Sequence, residues 1–378
     1  MALLLNEDEK MLSETAEGFF KKKAPVAELR KLRDSQDEKG YSEALWSEMA
    51  EMGFAGVLVP EDQGGVDMGV MAAGLLAEQM GRNLSATPFF STSVLSASAL
   101  KNSGGDLSKN WLEKIAGGEA IVSFAIDEGA KHNPLGTETR AERSGNGFKI
   151  TGSKVMVLDA HVADAHIVVA RTGGEPGDRE GLSLFLVEKT AENLSVERTI
   201  MVDSHNAGRV ELNGVEVTAE AMLGVEGEGA DVLEKVLGAG RAVLSAELLG
   251  AGSQAFEDTV AYIKERKQFG KIIGEFQALQ HRASHLYSEL ELCRSAVLAA
   301  LSAQDDGDKN AAKMAGMAKI KLGQVAKLAA LEGIQMHGGV GMTDEYDIGL
   351  FLKRIRVLQE LLGDGNYHLD EFAKASGY

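Results

Sequence analysis

The chain has 378 residues, 44% apolar and 25% charged, a globular composition long enough for two or three cores. Lys and Arg number 39 against 57 Asp and Glu, a net charge of −18, so the basic footprint that nucleic acids and anionic membranes demand is missing. One cysteine, Cys293, leaves no disulfide framework and no Cys-based metal centre, and no run approaches the about 18 apolar residues of a membrane span. The expected setting is reducing, soluble and cytoplasmic.

The first third reads helical. Asn6 caps a helix whose stripe is Met11, Leu12, Ala16, Phe19 and Phe20. Ser42 caps a second, with Leu45, Trp46, Met49 and Met52 on one face and Gly53 as its stop. Met68, Met71, Ala72, Leu75, Leu76 and Met80 repeat the pattern, with Gly81 expected to close it. The period then changes. Ile121–Ile126, Phe148/Ile150, Val155/Val157, Ile167–Ala170 and Leu184–Val187 read as short strands. Val210–Val217 alternates on both sides of Asn213-Gly214, which predicts a hairpin turn there. From about residue 231 the helical period returns: one long helix through Val236, Leu244, Leu248, Phe256 and Ile263, then segments 275–304, 308–336 and 348–374. The expected fold class is a multidomain α+β chain. Its parts are an N-terminal helical domain (1–118), a middle β domain, barrel or sandwich (119–222), and a C-terminal four-helix bundle (223–378). Strands and helices do not alternate, which argues against a doubly wound nucleotide fold.

Familiar catalytic motifs are absent. Gly339-Val340-Gly341 lacks the preceding strand and third glycine of a dinucleotide loop. There is no Gly-x-Ser-x-Gly elbow and no Walker loop. His281 and His285 are four apart without an intervening glutamate, and read as two residues on a helix flank; no metal site is expected.

Four pieces remain. Trp46 to Gly53 leads into Val59-Pro60-Glu61-Asp62-Gln63-Gly64-Gly65. Glu265-Arg266-Lys267-Gln268-Phe269-Gly270 closes the long helix, and Phe276-Gln277-Ala278-Leu279-Gln280-His281 opens the next. Gln335-Met336-His337-Gly338-Gly339-Val340-Gly341-Met342 ends another. Singly, each has a structural reading: Arg266 complements a helix C-terminus, and Gly338-Gly339 makes a C-cap. In this order, on an α–β–α chain of this length, they resemble the acyl-CoA dehydrogenase family over essentially the whole chain.

The resemblance implies a fold and a reaction. FAD would lie between the domains and the C-terminal bundle of a neighbouring subunit. A carboxylate would remove the α-proton of an acyl-CoA thioester while the β-hydride passes to flavin N5. Arg266, Gln268 and Phe269 match the segment reaching the FAD diphosphate and adenine; arginine's planar, always-charged fork suits a diphosphate. Phe276 and Gln277 match the next cofactor-contacting pair, and Gln335, Gly338 and Gly339 the segment whose backbone lies against the ADP half. Arg241 matches an arginine near the substrate end of the pocket.

The flavin-ring half departs from the pattern. Asp127 replaces a threonine in Phe124-Ala125-Ile126-Asp127-Glu128-Gly129, and Ala130-Lys131-His132-Asn133 stands where a Gly-Ser-Asp loop belongs. Met156-Val157-Leu158 replaces a Trp-Ile-Thr segment. The usual glutamate base falls on Leu362, and the alternative position, two residues before Arg241, on Ala239. Asp364 is either a displaced base or a cap for the last helix. The pattern resembles the partner chain of a heteromeric acyl-CoA dehydrogenase, of the kind used on steroid side chains and other bulky or fatty acyl-CoA esters. This chain would then share an FAD site, in a dimer or tetramer, with a glutamate-bearing chain, and an electron-transferring flavoprotein would accept the electrons. The alternatives are a homomeric flavoenzyme with a relocated base, Asp364 or Asp127, and a non-catalytic structural subunit.

Overall fold

The computed structural model describes residues 4–378. Helices α1 (Glu7–Lys23), α2 (Val26–Asp34), α3 (Glu43–Glu51), α4 (Gly69–Asn83), α5 (Ala97–Ser103) and α6 (Gly105–Ala116) come first. A π-helical stretch, Phe89–Ser96, runs directly into α5. Eight strands follow: β1 (Val122–Ala125), β2 (Arg140–Ser144), β3 (Gly147–Leu158), β4 (Ala165–Arg171), β5 (Leu182–Glu188), β6 (Leu194–Ile200), β7 (Asn206–Thr218) and β8 (Met222–Leu223). Then come α7 (Gly229–Glu265), a small hairpin of β9 (Lys267–Gln268) and β10 (Lys271–Ile272), α8 (Gln277–Asp305), α9 (Ala311–His337), α10 (Ile348–Glu360) and α11 (Gly365–Ala375). The expected caps are present: the Asn6 side chain accepts from Glu9 N with the Glu9 carboxylate reciprocating, and Ser42 accepts from Leu45 N.

The chain divides into two compact units. One, the sheet unit, holds residues 32–69 and 86–240. Its strands run in the order β6-β7-β3-β2-β4-β5-β8, with β1 beside β4. Strands β3 and β5 stand three places apart in this order, about 14 Å along a flat sheet. Yet the Phe148 and Phe185 ring centroids are 5.0 Å apart. The sheet therefore curls over a single core that takes Ile150, Val168, Val187, Val210 and Leu212 from four strands.

The expected hairpin at Asn213-Gly214 does not form. Strand β7 runs straight through, pairing Thr151 with Asn213 and Ile150 with Val215, so Gly214 (φ +79°) is the extra residue of a β-bulge. The positive φ that makes Asn-Gly a turn serves a bulge equally well, and pairing with β3 and β6 on both sides keeps the strand extended. The reversal lies earlier, between β6 and β7, where Ser204 has φ +67° and Met201 N donates to His205 O.

The other unit, the helical unit, holds the chain up to Lys31, residues 70–85 and residues 241–378. Buried Leu286, Leu290, Cys293, Val297 and Leu301 give α8 one apolar stripe. Small residues line the buried side of α9, among them Ala315, Ala318, Ala326 and Ala329. Two expectations fail here. Gly81 does not end its helix: α4 continues to Asn83, and a Cβ at Gly81 would run into the Glu247 carbonyl oxygen of α7. Gly250 meets the Glu78 carbonyl in the same way, so these glycines set how closely two helix backbones approach. Segment 348–374 is not one helix. It breaks between α10 and α11, where Leu362 (φ +54°) and Gly363 (φ +101°) are left-handed.

Candidate active site

The end of α7, the β9–β10 hairpin, the start of α8 and the end of α9 surround a cleft of about 800 Å³ in the helical unit. Ile263, Ile273 and Met336 form a small core beneath it. Arg266, Gln268, Phe269, Phe276, Gln335, Gly338 and Gly339 all line the cleft. Of the residues expected to touch cofactor, only Gln277, exposed at the first turn of α8, is not among the cleft-lining residues; Arg241, expected at the substrate end, does not line the cleft either. Phe269 occupies the hairpin turn with φ +53° and is 90% exposed. A bulky residue held left-handed and uncovered is costly unless something docks on it. Phe276 lies 6.2 Å from it edge-to-face. Arg266 makes no side-chain hydrogen bond or ion pair among the described residues. At Gly338 (φ +67°) and Gly339 an added Cβ would meet nothing within 4 Å, so their backbone borders open space.

Sequence reasoning missed three wall residues. His337 stacks on Tyr262 at 4.2 Å, and its Nδ1 donates to Gly333 O at 2.7 Å, which fixes the ring. Arg282 lies across the cleft, paired with Glu332. The histidine's place beside two glycines was a visible signal; the others carry none.

At the expected base position, Leu362 is 6% exposed. Its carbonyl accepts from Arg241 Nε at 3.1 Å, and the Arg241 guanidinium lies 5.4 Å from the Tyr367 ring. Asp364 accepts from Tyr367 N at 2.7 Å and so caps α11. Behind this turn lies Lys319, a second group that sequence reasoning missed. It is 3% exposed, and its Nζ donates to Gln359 O at 2.9 Å and Gly363 O at 2.6 Å. Burial first, then the nearby Arg241 charge, push its pKa down to about 7, against the pull of Glu360 and Asp364. The signal was legible: a lysine inside the Ala315–Ala318–Leu322 stripe has to be buried.

In the sheet unit, the connection from β1 to β2 is fastened to itself. His132 Nδ1 lies 2.9 Å and 3.1 Å from the two Asp127 oxygens. The Glu128 carboxylate accepts from Glu138 N (2.6 Å), Thr139 N (2.9 Å) and Lys154 Nζ (2.7 Å). Burial would raise the Glu128 carboxyl; the Lys154 ammonium and the hydrogen bonds outweigh it and hold the pKa below the ordinary value. Lys154 Nζ, itself fully buried, also donates to Ile126 O at 3.0 Å. Arg171, with its side chain in the core, donates to the carbonyls of Leu135 and Thr137. Met156 is half exposed with φ +53°. His281 and His285 are exposed on α8, and no group of three or more metal-ligating side chains exists among the described residues.

Three family descriptions match consecutive parts of the chain: "Acyl-CoA dehydrogenase, N-terminal domain" over residues 6–119, "middle domain" over 126–215 and "C-terminal domain" over 227–377. The chain belongs to the acyl-CoA dehydrogenase family. Among its relatives is the probable acyl-CoA dehydrogenase YngJ of Bacillus subtilis (strain 168), 29% identical over 98% of each chain. Among solved structures, the Tcur3481-Tcur3483 steroid ACAD is 29% identical, with TM-score 0.88 and 98% of each chain covered. The FAD complex of PigA is 25% identical, with TM-score 0.91, covering 100% of this chain and 99% of that one. The fold is that of an acyl-CoA dehydrogenase, with N-terminal helices, middle sheet and C-terminal helices in order, and no helix among the described residues is long and apolar enough to cross a membrane.

FAD is the cofactor of this family. The helical-unit cleft fits its diphosphate and adenine: a free arginine, two glycines with open backbone, and an exposed aromatic edge stand together. The β1–β2 connection, where the family resemblance would seat its ring, does not fit that ring. The polar groups of Asp127, Glu128 and Lys154 there already bond one another or the backbone.

Proposed function

We propose that this chain is one subunit of a heteromeric, FAD-dependent acyl-CoA dehydrogenase that introduces an α,β double bond into an acyl-CoA thioester. The observation that carries this is an asymmetry. The cleft for the FAD diphosphate and adenine is open and unsatisfied, while the chain's own candidates for proton removal are spent. Leu362 cannot accept a proton, Asp364 is a helix cap, and Asp127 is paired with His132. A partner chain of the same family supplies the catalytic glutamate, and the FAD supplies hydride acceptance. In this division of labour, Arg266 holds the diphosphate, and Gln268, Phe269, Phe276, Gln335 and the Gly338-Gly339 backbone receive the ADP half. Arg241 with Lys319 fixes the 359–363 turn. The three segments 1–118, 119–222 and 223–378 are taken as the family's three domains. The substrate class is a fatty or steroid side-chain acyl-CoA ester, and the electrons leave to an electron-transferring flavoprotein.

The test is flavin content of the chain purified alone and with an acyl-CoA dehydrogenase partner chain. About one FAD per two chains in the pair, with little in the chain alone, supports the reading; about one per chain alone refutes it. Arg266→Ala is expected to lose most of the bound FAD without changing thermal stability, because the exposed Arg266 side chain makes no hydrogen bond or ion pair among the described residues, while a charge-assisted hydrogen bond to a diphosphate is worth roughly 1.5–3 kcal/mol. Unchanged flavin content sinks the cleft assignment.

A further inference from the structure

The β1–β2 connection raises a question that the subunit reading leaves open: what keeps a chain with a family fold from holding a flavin of its own. We infer that the Asp127–His132 contact, braced by the Lys154–Glu128 clasp, is a latch that closes this connection against the flavin ring. This rests on the subunit reading.

The connection runs from Ile126 to Thr139. It is fastened at both ends. Lys154 and Val155 of β3 grip its start, through Ile126 O, the Glu128 carboxylate and Asp127 O, the last at 2.7 Å. Arg171 of β4 grips its end through Leu135 O and Thr137 O. Between these anchors the chain bends back so that residue 132 reaches residue 127. The His132 side chain is only 3% exposed and Asp127 18%. Both members of the pair are thus largely withdrawn from solvent, and each carboxylate oxygen is within hydrogen-bond reach of the same imidazole nitrogen.

A ligand with its own donors and acceptors could engage these groups only by replacing that contact. Opening it costs the pair its mutual satisfaction in a half-buried setting, where unsatisfied polar groups are expensive. The neighbouring Glu128 offers no alternative, since its two oxygens already take three donors. The helical-unit cleft is the opposite case, with Arg266 unpaired among the described residues. Affinity for FAD in this chain should therefore come from its ADP half alone.

Comparing FAD with ADP as probes of the chain alone tests this. Isothermal titration gives both affinities, and visible circular dichroism reports whether the flavin ring is held. In the unaltered chain, FAD and ADP are expected to bind within about threefold of each other, with no visible dichroism, since equal affinity means that the ring adds nothing. In Asp127→Thr/His132→Gly, FAD is expected to give visible dichroism that excess ADP does not abolish, since the ring is then held at the β1–β2 connection itself. Asp127→Asn, which keeps size and a hydrogen bond to the imidazole, is expected to behave as the unaltered chain and reports on folding. A ring signal in the unaltered chain, or none in the double variant, overturns the latch. Absent ADP binding in all forms overturns the cleft assignment instead, and ring binding by the double variant would still uphold the latch.

Discussion

Replacing Lys319 by methionine should change how stability depends on pH, in a direction fixed by where the amine sits. In the folded chain its pKa is pushed down to about 7, mainly by burial; in the unfolded chain it returns to about 10.4. Between these values the unfolded state binds the proton and the folded state does not. Stability contributed by this group therefore rises with pH from about 7 upward, and is flat below, where both states are protonated. The slope is about 1.4 kcal/mol per pH unit, so roughly 3 kcal/mol accrues between about pH 7 and pH 9. Above pH 7 the neutral amine still donates to Gln359 O and Gly363 O. Lys319→Met leaves those two carbonyls unsatisfied, at about 1–3 kcal/mol each. It also removes the buried charge. The variant should be clearly less stable than the unaltered chain at about pH 9, and the gap should close or reverse at about pH 6. Denaturant midpoints of the two proteins across this range provide the measurement, because all other titrating groups cancel in the difference. Parallel pH profiles would refute the reasoning: they would mean that Lys319 stays charged in the fold.

Three further outcomes follow from the same kind of accounting. His166 is fully buried on β4 against Ser123, and burial pushes its pKa down to about 4; stability should fall by about 3 kcal/mol as pH drops from about 6.5 to 4, and His166→Gln should flatten that decline in acid-unfolding curves. Gly81→Ala drives a Cβ into the Glu247 carbonyl of α7, so it should lose about 1–3 kcal/mol, seen as a lowered melting temperature, and a neutral result would mean that the two helices can slide apart freely. Leu362→Glu restores the usual carboxylate, yet on the subunit reading, in which this chain alone holds no flavin ring, it should give no turnover of straight or branched acyl-CoA thioesters with an artificial electron acceptor by the chain alone; turnover would refute that reading.

Much of this molecule was legible as a string. The change of period near residues 119 and 231 located the sheet and the long helices, because burial of one face imposes a repeat on any sequence that forms such an element. Local caps were equally plain: Asn6 and Ser42 bond backbone groups three residues away, and no distant contact is needed to decide that. The pieces around Arg266, Phe276 and Gly338 carried the family resemblance, and seven of the eight residues expected from them to touch cofactor line one cleft.

Tertiary structure decided the rest. Asn213-Gly214 holds the conformational permission for either a turn or a bulge, and only partners on both sides of β7 choose the bulge. Gly81 offers either a helix stop or a close approach, and the choice belongs to α7, more than 160 positions away. Lys319 titrates near neutrality because three other segments surround its amine. Asp127 carries a carboxylate that reads as an available base until His132 folds back on it. A sequence states what each residue is able to do; which ability is used depends on the groups that the fold brings within hydrogen-bond reach, and those lie far apart along the chain.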